Sequence, residues 1–127
     1  MRRRPDEIVA RARALIGTRF RPQGRSATEG LDCVGLVALA IEARNAPCDY
    51  ALRGGSVRRL GEELAAAGLT PVATMKAGDV LLLTPGQGQL HLGLFTGTGL
   101  VHSDAALRRV VERPLPLPWP LLGIWRS

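Results

Sequence analysis

Aromatic side chains are scarce: two Trp, one Tyr and two Phe in 127 residues. Leu, Val, Ile and Ala must therefore fill any core. At 46% hydrophobic the chain has enough of them, and this content beside 22% charged residues excludes a disordered polymer. Two Cys are too few for a disulfide framework. No apolar run reaches membrane-spanning length. The first 30 residues do not read as a secretory signal, because Asp6, Glu7, Arg11 and Arg13 interrupt any apolar stretch after Arg4. The expectation is a protein made in the cytoplasm, carried by something else to any site of action outside.

Lysine is nearly absent as well, Lys76 being the only one. The net charge of +6 is carried by arginine and is unevenly placed. Residues 1–25 hold eight Arg against Asp6 and Glu7, which is the whole +6, and the remaining nine basic and nine acidic residues cancel. A basic end suits nucleic acid, acidic wall polymers or an acidic partner. It equally suits a solvated helix face with no partner.

The length is that of one compact domain, 1–127, without an internal repeat or linker. Pro5, Asp6 and Glu7 suit a helix start, and Ile8, Val9, Ala12, Leu15 and Ile16 recur at helical spacing up to Gly17. Residues 17–30 read as a loop. A second helix begins at Leu31, is apolar on nearly all sides, and closes at 45–47. A third spans 56–67, with Ser56 as N-cap and Gly68 at the C-cap. The period then changes. Runs 80–83, 90–95, 100–102 and 110–111, broken by Gly- and Pro-containing turns, predict an antiparallel meander, with a last strand at 121–125. Helices first and sheet second is an α+β order.

Cys33 falls at the start of the apolar second helix, directly after Asp32. Unpaired N–H groups and the helix dipole favour negative charge there, so the thiol is expected to ionise readily and to attack carbonyls. The same N–H groups can hold an oxyanion. A small buried packing residue is the plain alternative. Cys48 has no comparable setting. The only two His, His91 and His102, lie on adjacent predicted strands joined by Gly97-Thr98-Gly99, within reach of each other if the register allows. Cys33 as nucleophile, His91 as base and His102 as orienter make a nucleophilic set.

The residues then match a known pattern. Asp32-Cys33-Val34-Gly35-Leu36-Val37 resembles the Asp-Cys-Ser-Gly-Leu-Val nucleophile motif of NlpC-type cell-wall cysteine peptidases. Gly78-Asp79-Val80-Leu81-Leu82 resembles their Gly-Asp-Leu-Val-Phe strand, and His91-Leu92-Gly93-Leu94-Phe95 their His-Val-Gly-Ile-Tyr strand. Residues 97–103 resemble the turn and strand of the third catalytic residue, and Gly17-Thr18-Arg19-Phe20 resembles a Gly-Thr-Pro-Tyr at the end of the first helix. The resemblance covers roughly residues 6–113, in order. It implies a reduced papain-like fold and hydrolysis of amide bonds in peptidoglycan stem peptides, with no metal and no cofactor. The expected lack of a signal, the single small domain and the Phe20-Arg21-x-Gln23-Gly24 stretch look most like members found with phage tails and gene-transfer particles, which implies action at the cell wall beside other tail proteins.

Two positions depart from the pattern. Val34 stands where relatives have Ser. Phe20 stands where they have a Tyr whose hydroxyl lies near the oxyanion, which leaves Gln23 as a side-chain donor beside Phe20 and Asp32. Losing one such donor costs ~100-fold or more in rate. Three rival readings follow: a weak or inactive structural tail component of the same fold, a zinc site from Cys33, Cys48, His91 and His102, and an Arg-rich nucleic-acid binder. Neither of the last two has its usual spacing or motif, so no specific nucleic acid is expected.

Overall fold

The computed structural model describes residues 3–43 and 56–127; Cys48 and the expected helix closure at 45–47 lie outside them. Helix α1 (Pro5–Ala14) starts on Pro5 with Asp6 and Glu7 in its first turn and buries Ile8, Val9 and Ala12. The segment that follows is more than a loop. It carries a small ribbon, β1 (Arg25–Ser26) against β2 (Gly30–Leu31). Leu31, expected as the first helical residue, is a strand residue instead, and helix α2 (Cys33–Ala40) begins two positions later, after its N-cap Asp32. The reason is local. The Asp32 carboxylate accepts the Gly35 N–H at 2.8 Å, so Asp32 is the extended residue outside the helix. Helix α3 (Val57–Ala66) has Ser56 as its N-cap, accepting from the Arg59 N–H.

The sheet has six antiparallel strands: β3 (Thr70–Pro71), β4 (Val80–Leu83), β5 (His91–Phe95), β6 (Gly99–Asp104), β7 (Arg109–Pro114) and β8 (Leu121–Arg126), in the order β3-β8-β4-β5-β6-β7. The meander β4 to β7 matches the pattern of short apolar runs. The last strand does not extend it. It returns to the far side of β4, where Asp79, at the entrance to β4, takes a two-pronged bond from Arg126 of β8, both contacts 2.8 Å. The two-residue strand β3 is too short to carry a period and was not expected.

Alternation along the strands divides the core. Leu82, Leu92, Leu94, Val101 and Val110 face the helices and pack with Ile8, Leu36, Val37 and Ile41. Leu81, Leu83, Phe95, Leu100 and Ile124 face the other way, beneath Val72, Met75, Leu117 and Trp119.

Several arginines of the basic segment bond to other parts of the fold. Arg3 donates to the Ala67 carbonyl behind α3, and Arg11 donates to the Ala40 carbonyl at the end of α2, both at 2.7 Å. Arg13 pairs with Glu112, and Arg25 with Asp32. Helix ends, the buried Asp32 and the part-exposed Glu112 therefore engage four of the eight arginines that would otherwise point to an external polyanion.

Gly24 and Gly35 bring the 17–31 segment hard against the first turn of α2. A Cβ on Gly35 would collide with the Gly24 carbonyl, and one on Gly24 with the Gly30 carbonyl, backbone in each case. Gly→Ala inside a helix normally gains up to about 1 kcal/mol. Here Gly35→Ala is expected to lose about 1–3 kcal/mol through overpacking. Urea unfolding measures it, and an unchanged or higher midpoint would refute the close approach.

Candidate active site

The site begins with Asp32. It is buried, and its two carboxylate oxygens are fully engaged. Oδ1 accepts from Gly35 N at 2.8 Å and from the Arg25 guanidinium at 3.0 Å, and Oδ2 accepts from Gln23 N at 2.9 Å. One carboxylate thus caps the helix, seats the Arg25 head and holds Gln23 in the left-handed region, at φ 57°. Asp32 lies beside the thiol, as expected, yet it acts there as a clamp. Both of its oxygens already serve as acceptors.

Strands β5 and β6 pair at Leu94↔Val101 and Phe95↔Leu100. The backbone N–H of Leu92, just past the paired residues, bears on the Cys33 sulfur, as do the N–H groups of Val34 and of Cys33 itself. Ser103 of β6 donates to the Leu31 carbonyl at 2.7 Å, which ties the sheet to the residue two before the thiol. Cys33 is therefore seated where β5 and β6 part, and it is 2% exposed.

Alternation places His91 and His102 on the side of Phe95 and Leu100. From the Leu94↔Val101 register, His102 falls opposite Gly93 and diagonal to His91. The rings meet as that register allows. His91 Nε2 and His102 Nδ1 are 2.9 Å apart, with the rings nearly perpendicular at 86°. Trp119 stands edge-on to both, centroids 5.3 Å away. With Nε2 occupied, Nδ1 is the nitrogen His91 has left for a thiol. A cavity of about 340 Å³ is lined by Phe20, Pro22, Gln23, Asp32, Cys33, His91, Ser103 and Ala105. All of the candidate residues except His102 share that wall, and His102 reaches it through His91. A second cavity of about 420 Å³ also borders the His pair, lined by Gln89, His91, His102, Asp104 and Trp119 among others.

The electrostatics differ from the sequence expectation. Burial pushes the Cys33 thiol up to about 12, and the neighbouring Asp32 charge adds to this, against the opposing pull of the N–H groups of Leu92, Val34 and Cys33. A helix start was expected to make the thiol acidic. Desolvation outweighs it, because stripping water from an anion costs more than a few amide dipoles return. His91 is lowered to about 4, first by burial and then by His102, with Asp104 opposing. His102 is lowered too, by burial and by Arg113, again against Asp104. The resting site is a neutral thiol beside two neutral imidazoles.

Trp119, Ser103, Asp104 and Arg25 were not legible as site residues. Trp119 sits in the Pro-rich stretch before β8, where only its being one of two Trp marked it. Among the described residues no group of three or more His, Cys, Asp or Glu could hold a metal ion, and no helix is long and apolar enough to cross a membrane.

No family model matches the chain, and no curated protein does. Solved structures do. The NlpC/p60 domain of the peptidoglycan hydrolase SagA matches with a TM-score of 0.61 at 24% identity, over 88% of this chain and 90% of that one. RipD from Mycobacterium tuberculosis, a non-catalytic NlpC/p60 domain protein adapted to peptidoglycan binding, matches with a TM-score of 0.61 at 16% identity, over 97% and 95%. The P60 domain of an antigen from M. avium subspecies paratuberculosis matches with a TM-score of 0.61 at 18% identity, over 96% and 92%. This likeness establishes the fold, which is the α+β, papain-like fold of NlpC/p60 domains.

The lowered His91 has a thermodynamic consequence. Between its ordinary 6.5 and about 4, the unfolded chain binds a proton that the folded chain refuses. Stability is therefore expected to fall as pH drops through that window. Urea unfolding at pH 7 and pH 5 should show the loss, and His91→Gln should shrink the difference between the two pH values. Equal pH dependence in both proteins would mean that the imidazole is not held neutral by the fold.

Proposed function

We propose that this chain, built on the NlpC/p60 fold, is a cysteine hydrolase that cuts amide bonds in peptidoglycan stem peptides. The observation that carries the reading is the shared cavity: Cys33 and His91 line one wall, and His102 holds the far nitrogen of His91 at 2.9 Å. A thiol, a base and an orienter in that order are the parts of nucleophilic acyl transfer. Because both partners rest neutral, the proton leaves Cys33 as the sulfur attacks. His91 Nδ1 takes it, the carbonyl oxygen becomes an oxyanion, and the first N–H groups of α2 with Gln23 are the donors at hand. Collapse breaks the amide bond, His91 returns the proton to the leaving amine, and a thioester remains on Cys33. Water, deprotonated by His91, then releases the acid and restores the thiol.

We also propose that the protein works at the cell wall as a component of a phage tail or gene-transfer particle, on the resemblance carried by residues 20–24. A second reading, a non-catalytic wall-binding or structural component, is favoured by two observations. Phe20 brings no hydroxyl to the cavity, and the thiol is deeply desolvated.

Mass spectrometry of purified peptidoglycan fragments separates the two readings. Wild type is expected to yield new stem-peptide products and Cys33→Ala none. Equal products from both proteins remove Cys33 from the mechanism. No products from either, with the protein still sedimenting with insoluble peptidoglycan, selects the non-catalytic reading.

A further inference from the structure

We propose that Asp104 is a positioning residue that sets the proton polarity of the His pair, so that His91 offers a bare Nδ1 to the thiol. Its catalytic consequence rests on the hydrolase reading; the proton placement itself is a property of the resting protein.

His102 is wholly buried. Its Nδ1 is used by His91, and its Nε2 has no hydrogen-bond partner among the described residues. Asp104 Oδ2 stands 4.0 Å from that Nε2. The carboxylate is held in place, since its other oxygen accepts the N–H groups of Ala106 at 2.8 Å and Leu107 at 3.0 Å. The Asp104 side chain is 15% exposed, so its charge reaches the ring through little solvent. Trp119 meets the ring edge-on and brings no acceptor. Arg113 is the cation that bears on His102, and it disfavours a charged imidazole.

A neutral imidazole has one N–H to place. Beside a carboxylate the hydrogen belongs on Nε2, because a lone pair there would face negative charge. His102 Nδ1 is then the acceptor, so His91 Nε2 must donate to it. The hydrogen on His91 is thereby assigned to Nε2, and Nδ1 is the free base. In the reversed arrangement His91 would carry its hydrogen on Nδ1 and could not take the thiol proton. The hydrogen bond at one ring nitrogen sets the tautomer of an imidazole; here the carboxylate's charge, 4.0 Å from His102 Nε2, sets it for His102 and the bond between the rings passes it to His91.

Two-bond proton–nitrogen correlation spectra at pH 7 read the tautomers directly. Wild type is expected to show Nε2–H on both rings. Asp104→Asn is the sharp variant. Its oxygen can keep the bonds to Ala106 and Leu107, and its amide then turns a donor toward His102 Nε2. Both rings should switch together to Nδ1–H. Asp104→Ala removes the bias and should give a mixture. On peptidoglycan fragments, Asp104→Asn should lower kcat by roughly 100-fold or more with KM little changed, as expected when a base is left in the wrong tautomer. Nδ1–H rings in wild type, or rings in Asp104→Asn and Asp104→Ala that match wild type, overturn the proposal. The spectra need no turnover. A switch without any hydrolysis sinks only the hydrolase reading, and hydrolysis without a switch sinks only the role of Asp104.

Discussion

The Asp32 carboxylate is the junction on which the site depends. Its oxygens meet the Gly35 N–H, the Arg25 head and the Gln23 N–H. The first of these stops the chain from continuing α2 backward through Leu31, and the other two fold the preceding segment over the helix start. Gly24 and Gly35 allow that segment to come close. Cys33 is held at a fixed point as a result. The Ser103–Leu31 bond then fixes the same point relative to β6. The sheet places the two imidazoles, and the helix start together with its clamped segment places the thiol.

That placement comes with desolvation. The thiol and both imidazoles sit in surroundings that penalise charge, and each rests in its neutral form. Such surroundings disfavour an ion pair between sulfur and imidazole. On the proposed hydrolase reading, proton transfer accompanies attack, and a base with a free lone pair in the thiol's cavity matters more than a thiol that is acidic in isolation. The role assigned to Asp104 follows from the same dryness, since a carboxylate 4.0 Å from a buried ring has little water to weaken its field.

The N-terminal charge is resolved by the same kind of accounting. A run of arginines looks like a surface for a polyanion. In the folded chain Arg3 and Arg11 close the carbonyl ends of two helices, and Arg13 and Arg25 answer carboxylates. Helix ends leave unpaired carbonyls, and long basic side chains can reach them.

Hydrophobic periodicity was enough to place three helices, the strands 80–83, 90–95, 100–102 and 110–111, and the α+β order, because period 3.6 and period 2 are local properties of the chain. The Cys33, His91 and His102 set was legible for a similar reason: each is a rare residue type lying within a local pattern. The return of β8 beside β4, the two-residue strands and the late start of α2 were not legible, since bonds between distant residues create them. The site's chemistry was hidden for the same reason. A helix start raises thiol acidity by a few local dipoles, a rule that sequence can express. Burial reverses it, and burial exists only once distant strands have packed. Trp119 and Asp104 likewise gain their meaning from rings that reach them in space, so only the tertiary structure could decide which nitrogen of His91 is left to act.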